Sequence, residues 1–451
     1  MNFSYKDFQN TEVNYSHHYD CYLTLDKGKY NEQSEESLKL DGRVATTLEE
    51  LKKRTTDDYY TKVHKVQVEA QGYARKVFPT YKFIQHDAII DDWLSTVDFH
   101  REKKTRDHSL HQTLTAYIVS KMLGQGDPRK GLVLPNGKTM LAQCAEQLLM
   151  EPQMEYLRNY LRKTDPKFEP FNGNYNEKWA AEVFYEAAFI SALFHDMGYP
   201  WQYVNGLSNS IKDANYKEVN GIIMNAEEAC KKMNESLLIY PLYGYQEDMV
   251  DNPTDEQKEY ALSLIRAGLM NTHGMPGAIG FMWLNSYIRY EAKENLFKEA
   301  SFRLITDWAA VGIMMHDMPK IYWGNRMGGN PDNSLLKLDS QKDPLSCITS
   351  IADILEEFER PKADFYRVLD KGEKEHVAIN YDFLCDETNV EFDGGKMNVT
   401  YLYNTQKDAE DQENGRKNEV KDYLEEKTGY LDLSSWGVIK GEGFTAGKPM
   451  V

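Results

Sequence analysis

Apolar and polar positions change rhythm twice along the chain. Residues 1–60 are polar and Tyr-rich, carry charge clusters such as NEQSEES and TTDD, and show no sustained apolar period, which predicts an irregular arm. Over residues 61–370 the texture becomes that of amphipathic helices, in TAYIVSKML, AAEVFYEAAFISALFHD, EYALSLIRAGLMN, SFRLITDWAAVGIMMHD and PLSCITSIADILEEFERP. Pro and Gly interrupt this region where helices should stop, at QGDPRKG, HDMGYP, NPTDEQ, HGMPGAIG and GGNPDN. Over residues 371–451 the pattern alternates with period two. HVAINYDF, NVEFD and KMNVTYLY read as strands, with a hairpin turn at Gly394-Gly395. KDAEDQEN reads as an acidic loop and RKNEVKDYLEEKTG as a helix stopped by Gly429. The expected fold is mainly α, a helical bundle with a small C-terminal α/β subdomain. The strands of that subdomain either add to a sheet edge in a second copy, giving a homo-oligomer, or cap the helical domain.

A chain of 451 residues allows up to about three domains. With 41% hydrophobic and 27% charged residues it has the balance of a folded globular protein. Basic residues number 53 and acidic ones 71, and the net charge of −18 repels phosphate backbones, which argues against long duplex nucleic acid as a partner. The longest apolar run, Ala187 to Phe194, falls short of the ~20 residues that a membrane-crossing helix needs. The first residues, MNFSYKDFQNTEVNYSHHYD, hold charges and Asn where a signal peptide needs an apolar stretch, so the expected location is the cytoplasm. Five scattered cysteines with no CxxC pair argue against both a disulfide framework and a thiolate zinc site.

The candidate chemistry lies in the histidines. Of eleven, five (His108, His111, His195, His273 and His316) sit on or beside apolar helical segments. His195 ends AAFISALFHDMG and is followed by Asp196, so an imidazole and a carboxylate leave the end of one helix together. Such a pair can reach one metal ion, and its donors suit zinc, iron, manganese and nickel alike. The dipeptide also arises by chance, as in His86-Asp87 after a polar Gln. His108 and His111 stand one helical turn apart in RDHSLHQTLTAYIV and share a face. His273 opens NTHGMPGAIGFMWL, where Gly274, Pro276 and Gly277 allow close approach to a helix start, and His316 ends WAAVGIMMHDMPK as His195 ends its own segment. Asp353 lies on the apolar stripe of DPLSCITSIADILEEFERP, where a metal ion or another cation must compensate its charge.

The ordered set H, HD, H, H, D, together with IADILEEFERP, resembles the HD-domain metal-dependent phosphohydrolase superfamily over roughly residues 100–365. The resemblance implies an all-helical HD-domain bundle. It implies His111 as first metal ligand, which the apolar phase after it fits better, with His108 as the alternative in an HSL context that family members also use; His195 and Asp196 as the signature pair with Asp196 bridging two ions; His273 and His316 as the extra ligands of dinuclear members; and Asp353 as the last. His108 then resembles the general acid that some phosphodiesterases use on the leaving oxygen; its ordinary alternative is a helix-face histidine paired with Asp107 or an acidic neighbour. Many relatives follow HD with a Gly-Lys that contacts phosphate, whereas this chain has Met197-Gly198-Tyr199-Pro200. Lys320, Arg326 and Arg360 are candidates to replace that lysine, or are plain solvated cations, the reading preferred for Arg326. Arg106 and Asp107 form either a structural salt bridge or a substrate contact. Asp317 has no vacancy in the ligand order, so its expected role is to hold an imidazole.

These readings imply one or two divalent ions (Mn, Fe, Ni or Zn) and hydrolysis of a phosphoester or phosphoanhydride in a small phosphorylated substrate, a nucleotide or cyclic nucleotide, by a metal-activated water in which Asp196, His108 and Lys320 take part. Three rivals carry the same residues: an HD-fold di-iron oxygenase, a single-strand nuclease with a basic channel hidden in an acidic surface, and a non-catalytic nucleotide sensor.

Overall fold

The computed structural model describes residues 1–10, 108–149, 176–199, 255, 272–291, 300–317, 337–357, 385–424 and 429–446. Strand β1 (Asn2–Ser4) and helix α1 (Tyr5–Gln9) come first, followed by α2 (His108–Met122), α3 (Met140–Leu149), α4 (Glu177–Phe194), α5 (Gly274–Glu291) and α6 (Ala300–Met315). Strand β2 (Leu338–Asp339) precedes α7 (Pro344–Leu355). The chain continues through β3 (Cys385–Asp393), β4 (Lys396–Tyr403), α8 (Gln406–Leu424), β5 (Leu431–Asp432) and β6 (Lys440–Ala446). The described residues are thus rich in helix and carry a small sheet.

Helix α4 is the hub. Asn176 caps it by accepting the Trp179 amide at 3.1 Å, and from Trp179 to Phe194 all but Glu182 are buried. A helix apolar on all sides belongs at the centre of a bundle, and α2, α3, α6 and α7 pack around it. Helix α5 lies against α6. Small side chains make the crossings close: a Cβ at Gly312 on α6 would stand 2.1 Å from Leu345 Cδ2 and 2.3 Å from Ser191 Oγ. Ser191 and Thr349 join their hydroxyls at 2.9 Å across the same contact, which locks α4 to α7. Helix α7 starts at the Asp343 side chain, which accepts the Ser346 amide at 3.1 Å, with Pro344 preset at the first turn.

The sheet runs in the order β1-β3-β4-β6. The hairpin expected at the paired glycines is present: β3 and β4 are antiparallel, and Gly394 and Gly395 take φ of 53° and 81°, as a two-residue turn matched to strand twist requires. Strand β6 joins β4 in parallel, and α8 crosses between them to cover the sheet with Ala409, Val420, Tyr423 and Leu424. This corrects one expectation. KDAEDQEN is no loop but the first half of α8, because the helix needs only a narrow apolar stripe and most of its charged residues face away from the sheet; the stop expected at Gly429 falls beside residues 425–428, which lie outside the described residues. At the other end of the chain, residues read as the start of an irregular arm form β1, antiparallel to β3, and α1. Phe3 and Phe8 are buried, and Asp7 binds the Tyr117 hydroxyl at 2.5 Å and the Lys121 ammonium on α2. The expected strand HVAINYDF and helix EYALSLIRAGLMN fall outside the described residues. No helix among the described residues is long and apolar enough to cross a membrane.

Gly312→Ala forces a methyl between Leu345 and Ser191, and overpacking of this kind costs about 1–3 kcal/mol. Urea unfolding should show the loss as a lowered midpoint with an unchanged slope; an unshifted midpoint would mean that the crossing of α6, α4 and α7 is looser than described.

Candidate metal centre

Two of the helices end on a histidine. Helix α4 stops at Phe194 and α6 at Met315, and His195 and His316 follow directly. The last carbonyls of a helix have no partner within it. Each histidine folds back to supply one: His195 Nδ1 donates to the Ala192 carbonyl and His316 Nδ1 to the Ile313 carbonyl, both at 2.7 Å. A carbonyl can only accept, so in each neutral ring Nδ1 carries the hydrogen and Nε2 is the bare nitrogen. The negative ends of two helix dipoles also meet here, which favours a cation.

The other two rings are anchored by carboxylates. His273 Nδ1 donates to Asp317 Oδ2 at 3.0 Å, and the same oxygen accepts the His273 amide at 3.1 Å. His111 Nδ1 donates to Glu356 Oε2. In all four rings the outward nitrogen is therefore tied down and Nε2 is turned inward, the orientation in which an imidazole ligates a metal.

The inward atoms form two overlapping groups. His111 Nε2 lies 3.2 Å from His195 Nε2, 3.1 Å from Asp353 Oδ1 and 3.5 Å from Asp196 Oδ2. His273 Nε2 lies 2.9 Å from both His316 Nε2 and Asp196 Oδ1. Asp196 belongs to both groups, and a third combination of His195, His316 and Asp353 spans them. All six side chains are at most 11% exposed, which removes water as the partner of most of these atoms.

Hydrogen bonds alone cannot satisfy this arrangement. With Nδ1 protonated in each ring, Nε2 lone pairs face one another and face carboxylate oxygens, and only added positive charge relieves the repulsion. Protons do part of this. Burial opposes charge on His195, but the Asp196 charge and the hydrogen bond and charge of Asp353 outweigh it and raise its pKa to about 9. Burial instead lowers His316 to about 4, with His273 and His195 acting in the same direction against Asp317 and Asp353. Metal ions would satisfy the set: donors at ~2.0–2.2 Å from one ion, at angles between square and tetrahedral, stand about 2.8–3.6 Å apart, close to the 2.9–3.9 Å separations found here. The donors are nitrogen and oxygen only. Cys144, Cys347 and Cys385 are buried and unbridged in the core, so no thiolate joins any group that could hold an ion among the described residues.

The sequence reading named His111, His195, Asp196, His273, His316 and Asp353, and the fold brings all six together. Asp317, expected to hold an imidazole, binds His273. Glu356 was missed, although it follows Asp353 by three residues and opens the acidic EEFER stretch, and it could have been sought as a partner for a ligand ring. The Ala192 and Ile313 carbonyls carry no side-chain signal; the cue is a histidine placed just past a helix end. His108 lies in α2, one turn ahead of His111, and its side chain is outside the described residues, as are Arg106, Asp107, Lys320, Arg326 and Arg360.

Gly198 fixes the contact between the His195-Asp196 turn and α5. A Cβ there would stand 1.8 Å from the His273 carbonyl oxygen and 2.5 Å from the Gly277 amide, both backbone atoms with little room to yield. Tyr199 next to it stacks on the His273 ring, with centroids 4.0 Å apart and planes 11° from parallel, and so covers one face of that ligand. Comparison with known family models, with curated proteins and with solved structures finds no match for this chain.

Glu356→Ala takes the acceptor from His111 Nδ1, and loss of such an outer partner weakens metal binding about 10–100-fold. Calorimetric titration with Mn²⁺ should show that weakening. Gly198→Ala should displace His273 and abolish binding at its group of donors. Wild-type affinity in both variants would remove the case for this centre.

Proposed function

We propose that the chain is a metal-dependent phosphohydrolase, acting on a phosphoester or phosphoanhydride of a nucleotide or cyclic nucleotide. The observation that carries this reading is the central place of Asp196, whose Oδ2 faces His111 at 3.5 Å while its Oδ1 faces His273 at 2.9 Å, His195 at 3.4 Å and His316 at 3.9 Å, so that it belongs to donor groups on both sides. That arrangement suits two ions sharing one carboxylate. The resemblance of the H, HD, H, H, D order to the HD-domain superfamily supports the same reading.

In it, His111, His195, Asp353 and Asp196 hold one ion, and His273, His316 and Asp196 the other. Bound divalent ions supply Lewis-acid polarisation of a phosphoryl oxygen and a water acidified towards neutral pKa. The protein's own part is to hold the donors before any ion or substrate arrives. Each imidazole is fixed by its Nδ1 hydrogen bond, so little reorganisation accompanies the reaction. The apolar ends of α4 and α6 keep bulk water from the back of the site, which strengthens every charge interaction within it. In this reading His108, three residues ahead of His111 in the sequence, protonates the leaving oxygen, and Lys320 takes the part of the phosphate-contacting lysine that is absent after Gly198.

A second reading, a di-iron oxygenase, is favoured by the donor set itself, since imidazole and carboxylate without thiolate suit iron as well as manganese. Bound iron with oxygen consumption, and no phosphate release, would select it.

Elemental analysis of the purified protein should find two divalent ions, and a His195→Ala, Asp196→Ala variant should lose both together with phosphate release from a nucleotide panel. His108→Ala should keep its metal and lose about 10²–10⁴-fold in kcat, the usual share of a general acid. A folded wild type that binds none of manganese, iron, nickel or zinc would overturn the proposal.

A further inference from the structure

Helix α7 brings Asp353 to the centre and leads into Glu356, the anchor of His111. The terminal α/β unit grips this helix at both ends. Ahead of it, β2 pairs in parallel with β5: the Leu338 amide donates to the Tyr430 carbonyl at 2.9 Å and the Ser340 amide to the Asp432 carbonyl at 2.8 Å. The Ser340 and Ser435 hydroxyls meet at 2.6 Å beside that ladder. At the far end, the buried Tyr401 hydroxyl on β4 donates to the Ile354 carbonyl at 2.7 Å, satisfying a last-turn group that the helix itself leaves open.

The chain then leaves the helix in an extended conformation at Glu356, with φ −78° and ψ 96°. Successive side chains of extended backbone point to opposite sides. Glu356 therefore turns to the His111 ring, and Glu357 turns away to Arg416 on α8, whose Nε lies 3.2 Å from Glu357 Oε1 and whose Nη1 binds Glu419. Both carboxylates are 1% exposed, so each position is enforced by its partner rather than by solvent. A buried ion pair is weak as a source of net stability but strong as a constraint on geometry, since displacing one partner strands the other. The His273 and His316 donors are carried mainly by α5 packed on α6 and by α6 packed on α4; α7 also touches that pair, through the Ser350 hydroxyl, which donates to the His316 carbonyl at 3.2 Å three residues ahead of Asp353.

We propose that Arg416 and Tyr401 are positioning residues of one half of the metal centre, holding residues 353–357 where Asp353 and Glu356 close the His111 and His195 group. The inference rests on the metal-centre reading above and adds an asymmetry to it: the terminal α/β unit governs one ion and leaves the other to α5 and α6.

The test is a Co²⁺ titration of the full chain, followed by calorimetry and by visible absorption, which separates two ions of different ligand sets. Arg416→Met and Tyr401→Phe should weaken one of two binding events about tenfold or more and leave the second, with its absorption band, unchanged. Arg416→Lys, which keeps the charge but not the planar fork, should recover part of the loss. Tyr401→Phe removes only a hydroxyl and keeps the test open if the Arg416 variant does not fold. Two unchanged events, or equal weakening of both, would overturn the proposal while the metal centre stands. A wild type that takes up no Co²⁺ would overturn both.

Discussion

Four imidazole rings share one constraint at the centre of this fold. Each has its Nδ1 hydrogen committed outward, to the Ala192 and Ile313 carbonyls and to the Glu356 and Asp317 carboxylates, and each is left with a bare nitrogen facing inward. Two aspartates face the same space. Concentrating that much electron density away from water is unfavourable, and the rest of the molecule reads as the framework that imposes it. Helix α4 must be buried all round to deliver His195 and Asp196 to the middle of a bundle. Close crossings at Gly312 and Gly198 then bring α6 and α5 near enough to add their histidines.

The framework also explains why the histidines alternate between two kinds of anchor. His195 and His316 follow helix ends, where open carbonyls are at hand. His111 and His273 take the Glu356 and Asp317 carboxylates, distant along the chain, in place of a helix-end carbonyl. Asp317 comes from the residue after His316 and ties the two rings of one pair to a single turn. Glu356 comes from the end of α7, so the first pair depends on a further element, whereas the carboxylate that anchors the second sits next to one of its own rings.

The donors were legible in the sequence because each combines a metal-suited side chain with an apolar helical setting, a combination that surface residues do not show. The hairpin was legible for a similarly local reason, two glycines between alternating segments. What escaped was non-local or masked by composition. Glu356 looks like any solvated glutamate until α7 is seen to end one residue before it and turn towards His111. The acidic half of α8 has so few apolar positions that its charge hides its helical period, and only the sheet beneath it reveals which side is buried. Residues 2–9 gave no periodic signal because a three-residue strand is too short to show one; their place is set by pairing with β3.

That last pairing links Asn2 to Asn389 and Phe3 to Thr388 across nearly the whole length of the chain. Contacts between such distant positions carry a large loop-closure cost and form late. During synthesis β1 has no partner strand until residues 385–393 have emerged, and α7 waits longer still for Tyr430 and Asp432. The helical hub, α2 and α7 included, has all its helices synthesised before those strands emerge, and the last-made part of the chain supplies the outer restraints on residues 353–357.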